Sequence, residues 1–309
     1  GINQSMKDEL SSIVASVVAL KRLEKGDIVV DIGCSDATLL SFYPEGIIRV
    51  GYEPVEKLSK WSQEIVHHLF IDFFNAKVFK EKFNDRMGQK KAKVITAISM
   101  FYDIDDPHTF LKDIKEILDE DGVLVIQQNY LVGMLKQCAF DNIVHEHLEY
   151  YSLFSLENLL TRHNLEVFDV SENDINGGSF RTYIRFKNAK VGSKSGLEKV
   201  KEVRKRERRL KLDTEEPYLF FGKKVKAVVN KLSAFIKSEV KKGKKIYVYG
   251  ASTRGNTLLQ SAKLNYKHIT AAAERNPFKW GKFCVGTKIP VVSEEEARAA
   301  KPDYFLILP

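Results

Sequence analysis

The sequence predicts a mixed α/β protein: an open, mostly parallel sheet that ends in an antiparallel pair, followed by a second, smaller α/β unit. Three observations predict it. Through the first half, short apolar runs alternate with segments of helical periodicity, the pattern of strands buried on both faces of a parallel sheet. Two strand-like runs then follow one another with no helix between them, and such a pair must be antiparallel, because a parallel return needs a crossover. After a long helical stretch the strand–helix alternation restarts.

Taken in order, Met6–Leu23 places Met6, Leu10, Ile13, Val14, Val17 and Leu20 at helical spacing. Ile28–Gly33 (IVVDIG) stops at a glycine and reads as the first buried strand, and Ile47–Pro54, Lys93–Ser99 and Gly122–Gln128 repeat the pattern. Pro107–Leu118 reads as a helix, since Pro107 suits a first helical turn. Leu165–Ser171 and Ser179–Phe186 are the antiparallel pair, joined by the loop Glu172–Gly178. Ser195–Lys242 is helical with a break near Pro217, and its second piece carries Val225, Val229, Leu232, Phe235, Ile236 and Val240 on one stripe. The second unit consists of Lys245–Ser252, Asn256–Leu264, Ile269–Glu274, Glu294–Ala300 and Asp303–Leu308. The expected division is therefore a first domain over 1–190, a helical connector over 191–244 and a C-terminal domain over 245–309.

Composition narrows the class. With 309 residues, 44% of them hydrophobic, the chain can bury two cores. No apolar stretch approaches the ~20 residues that span a bilayer, and no basic-then-apolar leader opens the chain, so a cytoplasmic protein without a membrane partner is expected. Cys34, Cys138 and Cys284 are far apart and odd in number, which disfavours both a disulfide framework and a zinc site; no metal is expected. The net charge of +8 is concentrated: Lys187–Lys245 holds 20 Lys and Arg against 7 Asp and Glu, the remainder 29 against 34. That segment is either a solvated helical surface or a face for an anionic partner. No aromatic-and-basic RNA-binding motif accompanies it, so nucleic acid is not expected.

DIGCSDATLL (Asp31–Leu40) follows the first strand and opens a helix. Gly33 lets the backbone approach a ligand, and a helix N-terminus attracts an anion. Some ~20 residues on, Glu53 ends the second strand, the spacing of an acid that accepts from ribose hydroxyls. The G-x-G-x-x-G of dinucleotide sites is absent, so a pyrophosphate would lack its cradle. The stretch resembles motif I of the class I S-adenosylmethionine-dependent methyltransferases, with Ala37 where that family prefers glycine. Ile71–Asn75 resembles the family's third-strand motif beside the adenine, and Ile98–Asp106 its fourth-strand motif under the methionine part. The resemblance implies a class I, Rossmann-like methyltransferase fold, extended here by a second, smaller Rossmann-like domain. It also implies S-adenosylmethionine held by Asp31, Gly33, Cys34, Asp36, Glu53, Asp72, Phe73, Ser99 and Met100.

NIVHEHLEYYS (Asn142–Ser152) sets two histidines around a glutamate, with two tyrosines after. Histidines at i and i+2 project to one side of a strand, whereas helical zinc sites need i and i+4, so a metal is disfavoured; a hydrogen-bonded structural cluster stays open. Taken with Gly1–Met6, Asp31–Leu40, Asn176–Ile184 (NGGSFRTYI), Tyr249–Leu259 (YGASTRGNTLL) and Glu274–Val291, the stretch resembles the C-methyltransferases of nucleotide-linked deoxysugars. That resemblance implies methyl transfer to a ring carbon of a keto nucleotide-sugar through a base-generated enolate. His147 matches the family's base, with Glu146 as an orienting or charge-pairing partner and His145 as the competing base. It further implies that the nucleotide-sugar is bound by Asn176, Gly178, Ser179, Arg181, Tyr249, Ser252, Thr253, Arg254 and Asn256. The chemistry agrees: carbon is not nucleophilic until it loses a proton, a neighbouring ketone makes that proton labile, and a histidine with an ordinary pKa of ~6.5 is a suitable base.

Members of the family often begin with a cysteine-rich zinc module and continue past the last strand, so trimming at both ends is expected; Val144 stands where they often carry an aromatic residue. The competing expectations are an O- or N-methyltransferase on another small molecule and a non-catalytic binding module. A monomer or weak homo-oligomer is expected.

Overall fold

The computed structural model describes residues 4–85, 88–174 and 177–308. Among them the chain forms two compact units, Gly1–Leu131 with Leu148–Leu210, and Val132–His147 with Lys211–Pro309. The sequence-based division differs in two respects. The short stretch that carries the histidine motif belongs with the C-terminal unit. The helical connector is shared out, its first helix to one unit and its second to the other.

The first unit is built on a seven-stranded sheet. Its strands are β1 (Ile28–Ile32), β2 (Ile48–Tyr52), β3 (His68–Phe70), β4 (Ala92–Ile98), β5 (Leu118–Asn129), β6 (Leu165–Asn173) and β7 (Ser179–Phe186), in the spatial order β3-β2-β1-β4-β5-β7-β6. The first five strands pair in parallel, and β7 enters antiparallel between β5 and β6. This is the class I methyltransferase topology. The periodicity of the sequence does not show β3: it is three half-buried residues just before the IDFFN motif.

Helix α1 (Gln4–Leu20) buries Leu10, Ile13, Val14 and Val17. They join Val29, Val94, Val125, Phe168 and Tyr183 in one core on the face of the sheet. Burying one such side chain stabilises the fold by roughly 1.5–3 kcal/mol. Helices α2 (Thr38–Ser41), α3 (Glu56–Ser62), α4 (Ala76–Phe83), α5 (Pro107–Ile117) and α7 (Leu153–Thr161) fall between successive strands of the chain, as does α6 (Leu131–Gln137), which from Val132 on belongs to the second unit. The last helix of this unit, α8 (Lys194–Arg209), reads as a basic solvated surface, yet Val200, Val203 and Glu207 are buried. Glu207 accepts from the Tyr130 hydroxyl at 2.7 Å and from the amides of Leu153 and Phe154 at 2.7 and 2.8 Å. It thereby satisfies the open N-terminus of α7 from 54 residues away.

The second unit repeats the logic on a smaller scale. Strands β8 (Ile246–Tyr249), β9 (Ala271–Glu274), β10 (Val291–Ser293) and β11 (Tyr304–Ile307) are all parallel, in the order β10-β9-β8-β11. Helix α9 (Glu216–Lys241) starts with Pro217 in its first turn, so the proline opens a helix and the break falls before it. Its Val229, Leu232, Ile236 and Val240 pack with Ile246, Val248, Leu259 and Ile289. Helix α10 (Thr253–Ser261) follows β8 directly, and its N-cap Ser252 accepts from the Gly255 amide at 2.9 Å.

Candidate active site

At the carboxyl ends of β1 and β2, Gly33 (φ 74°), Ser35 (φ 49°) and Ala37 (φ 58°) make an open left-handed turn. Ala37 adopts the conformation itself, so the missing family glycine is tolerated at a small conformational cost. The turn lies close over β2: a Cβ on Gly51 would sit 2.6 Å from Cys34 Sγ, so only glycine admits the packing. Burial, with the charges of Asp31 and Glu53, pushes the Cys34 thiol far up, which keeps it protonated.

Glu53 is buried at 4% exposure. Its Oε2 accepts from Ser35 N at 3.0 Å and its Oε1 from Val55 N at 2.8 Å. Each oxygen keeps a further lone pair, which suits two neighbouring hydroxyls of a ribose. Asp31 is also buried, its carboxyl on the Thr96 hydroxyl inside the sheet. Burial raises it, the Thr96 bond opposes this and the charge of Glu53 adds to it, bringing it to about 7. Asp36 accepts from Thr38 N at 3.1 Å and from its hydroxyl at 2.7 Å, opening the short helix α2. Ser99 turns at φ 55° beyond β4, and Met100 stands against Gly33. Asp72 and Phe73 are exposed just past β3, Phe73 at 76%. The donor set at these strand ends fits S-adenosylmethionine.

The NGGSFR stretch divides. Asn176 lies outside the described residues. Gly178 and Ser179 flank the start of β7, and Ser179 is buried. Arg181, expected at the substrate, is 6% exposed and held inside the unit. Its Nε donates to Gln127 Oε1 at 2.7 Å, and its Nη2 donates to Glu9 Oε1 at 2.7 Å and Ser12 Oγ at 3.0 Å. It ties α1 to the sheet.

The histidine motif is a turn and not a strand, so its two histidines do not share a face by alternation. His145 and Glu146 are exposed, with His145 Nε2 4.0 Å from Glu146 Oε1. His147 is half-buried, and its Nδ1 lies 2.8 Å from the Asn142 carbonyl oxygen. A carbonyl only accepts, so Nδ1 carries the proton and the lone pair of the neutral ring resides on Nε2. Among the described residues, no three His, Cys, Asp or Glu side chains gather to hold a metal ion.

In the second unit a cavity of about 640 Å³ opens at the start of α10, lined by His145, Ser252, Thr253, Asn256, Lys279 and Lys282 among others. Asn256 braces it by donating to the Val285 carbonyl at 2.8 Å. Two expected ligand residues face elsewhere. Tyr249 bonds Glu294, and Arg254 directs Nε to Asp141 Oδ2 at 2.7 Å. Lys279 and Lys282 line the cavity and Glu274 pairs with Lys279; the sequence motifs single out none of the three. Glu274 was findable by the rule that singled out Glu53, an acid ending the strand next to a glycine turn.

Residues 3–170 match the family model described as a methyltransferase domain, and residues 174–309 that described as the C-methyltransferase C-terminal domain. The C-methyltransferase NovU of Streptomyces niveus is 31% identical over 287 residues, covering 93% of this chain and 67% of that protein. Among solved structures, a chain in the complex of the Haloferax volcanii Trm112 methyltransferase activator with a putative methyltransferase aligns with a TM-score of 0.45 at 15% identity, over 59% of this chain and 94% of that one. The magnesium protoporphyrin IX methyltransferase of Synechocystis PCC 6803 with bound S-adenosylhomocysteine aligns at 0.44 and 13%, over 62% and 89%. A seven-stranded sheet in this order, with an acid and a glycine turn at its carboxyl edge, defines a class I methyltransferase. This chain belongs to the S-adenosylmethionine-dependent C-methyltransferases. Among the described residues, no helix is long and apolar enough to cross a membrane.

Proposed function

We propose that the acceptor is a ring carbon of a keto nucleotide-sugar and that His147 is the base that generates the carbon nucleophile. The observation that carries this reading is the Nδ1 contact of His147 with the Asn142 carbonyl, which directs the basic lone pair to Nε2. Nε2 removes the proton beside the ketone, and the resulting imidazolium keeps its Nδ1–H on the same carbonyl. Glu146, exposed next to His145, acts by charge and not as the base. Tyr150 is a poor base because burial, with Asp103 adding, raises its hydroxyl above the ordinary value near 10.

Asp31, Gly33, Cys34, Asp36, Glu53, Asp72, Phe73, Ser99 and Met100 surround the cofactor site, with Glu53 taking the ribose hydroxyls. Bound S-adenosylmethionine supplies an electrophilic methyl group. The cavity at the start of α10 receives the nucleoside diphosphate: Ser252 and Thr253 stand at a helix N-terminus, and Lys279 and Lys282 supply positive charge. Gly178 and Ser179 remain candidates for the sugar.

The test incubates the protein and S-adenosylhomocysteine in D₂O with a panel of nucleoside-diphosphate keto-sugars and follows deuterium uptake at the carbon beside the ketone. Uptake that disappears in His147→Ala, together with a new C–CH₃ bond in the methylated product, supports the reading. Methylation of oxygen or nitrogen, or uptake unaffected by His147→Ala and lost in His145→Ala, overturns it.

A further inference from the structure

The short turn before the histidine motif packs against α10 and is joined to it by an ion pair. Phe140–Asn142 is one turn of 3-10 helix, a form with poor hydrogen-bond geometry and little rigidity of its own. Asp141 within it has a side chain only 7% exposed, and Arg254, from the first turn of α10, directs both Nε and Nη2 to its Oδ2. The two residues are 113 positions apart in sequence. One residue further on, the Asn142 carbonyl takes the Nδ1 proton of His147. Thr253, the neighbour of Arg254, lines the cavity. The helix turn that lines the ligand cavity therefore also grips the turn that orients the histidine.

We propose that the Asp141–Arg254 pair is a positioning device for the base: it fixes the 140–142 turn so that the Asn142 carbonyl selects one tautomer and one ring direction of His147. Arg254, which its motif suggests as a ligand for phosphate, serves the reaction through Asp141 and Asn142. The guanidinium suits this task because its planar fork sets direction as well as charge, which an ammonium does not. The inference rests on His147 being the base, and its test separates the two ideas.

The full chain is labelled with ¹⁵N-histidine, and the His147 signals are assigned by their loss in His147→Ala. Two-bond ¹H–¹⁵N spectra of the neutral ring should show one Nδ1–H tautomer in the unaltered protein. Arg254→Met should give a mixture of tautomers, Arg254→Lys an intermediate state, and the exchange of Asp141→Arg with Arg254→Asp a partial return. An unchanged thermal shift with S-adenosylhomocysteine checks that each variant folds. With a nucleoside-diphosphate keto-sugar that turns over, kcat of Arg254→Met should fall about 100-fold, the scale of a ~1 Å misplacement, with KM for S-adenosylmethionine within about twofold. A single Nδ1–H tautomer in Arg254→Met, or kcat within twofold of the unaltered protein, overturns the proposal. Full turnover by His147→Ala sinks the base reading and the catalytic role of the brace with it, while the tautomer spectra still show whether the brace exists.

Discussion

In the first unit the chain leaves β1 through Gly33, whose amide bonds the Tyr52 carbonyl at 2.9 Å; in the second it leaves β8 through Gly250, whose amide bonds the Ala273 carbonyl at 2.8 Å. Glu53 ends the adjacent strand and accepts from Ser35 N and Val55 N at 3.0 and 2.8 Å; Glu274 ends the adjacent strand and accepts from Ala251 N and Asn276 N, both at 3.1 Å. Four parallel strands run in the same relative order around each turn. The two sites differ in charge and in the helix that each turn opens. Among the described residues, no cation pairs with Glu53, whereas Lys279 pairs with Glu274 at 3.2 Å and Lys282 lines the same cavity. Burial works to raise the Glu274 carboxyl, but the amide bonds and Lys279 outweigh it and hold it below the usual carboxylate range. The first turn opens a four-residue helix with no side-chain cap, the second a nine-residue helix capped by Ser252. One backbone plan thus yields two turns with opposite electrical surroundings. An unpaired acid suits a ligand that donates hydroxyls, and a neutralised acid beside lysines suits an anion.

The comparison is tested most severely at the proposed base. His147→Ala should lower turnover by about 100- to 10,000-fold, the range for a general base, while calorimetry finds both ligands bound as before. Loss of either ligand would make His147 part of a pocket and not the base. The next effect separates the two acids. Glu53→Ala should weaken S-adenosylmethionine by about 10- to 100-fold, the worth of hydrogen bonds to a charged acceptor, and Glu274→Ala should leave that affinity within about twofold. Equal weakening by both would dissolve the distinction between the sites. Thr253→Asp should repel a nucleoside diphosphate from the second pocket and leave S-adenosylmethionine binding intact.

Asp31 sharpens the contrast by pH. Its folded pKa of about 7 exceeds the ordinary aspartate value of 3.8, so between these values the folded chain holds a proton the unfolded chain has lost. Its contribution to stability is therefore full at low pH and falls as pH rises from about 4 to about 7, by roughly 4 kcal/mol at most, at about 1.4 kcal/mol per pKa unit. Thermal unfolding of Asp31→Asn across that range should lack this part of the slope; an identical profile would show that the carboxyl stays ionised. The smallest effect is expected for exposed Lys282: Lys282→Ala should weaken anion binding about threefold, with the loss shrinking in high salt.

Much of this is legible without the fold. The alternation of apolar runs, the glycine turn and the acid some ~20 residues on each depend on local periodicity or on a fixed strand–turn–strand spacing, which a sequence displays directly. The antiparallel end pair is legible because a loop of seven residues, Glu172–Gly178, cannot make a parallel crossover. Two short strands, His68–Phe70 and Val291–Ser293, are not, because three residues carry no period and their pairing comes from neighbours already in place.

Site residues divide in the same way. Sequence alone put Glu53 at a strand end and Ser252 at a helix start, because each acts on backbone within its own turn or on the adjacent strand. It could not tell that Arg181 is spent on Gln127, Glu9 and Ser12, that Glu207 satisfies the start of a helix 54 residues earlier, or that Arg254 grips Asp141. All three are charged side chains in motifs or basic stretches that suggest solvent or ligand, and nothing local distinguishes an arginine that waits for a phosphate from one already paired. Burial makes the difference: a charge removed from water must find its partner inside the protein. Which residue supplies that partner is decided only when the packed elements bring distant parts of the chain together.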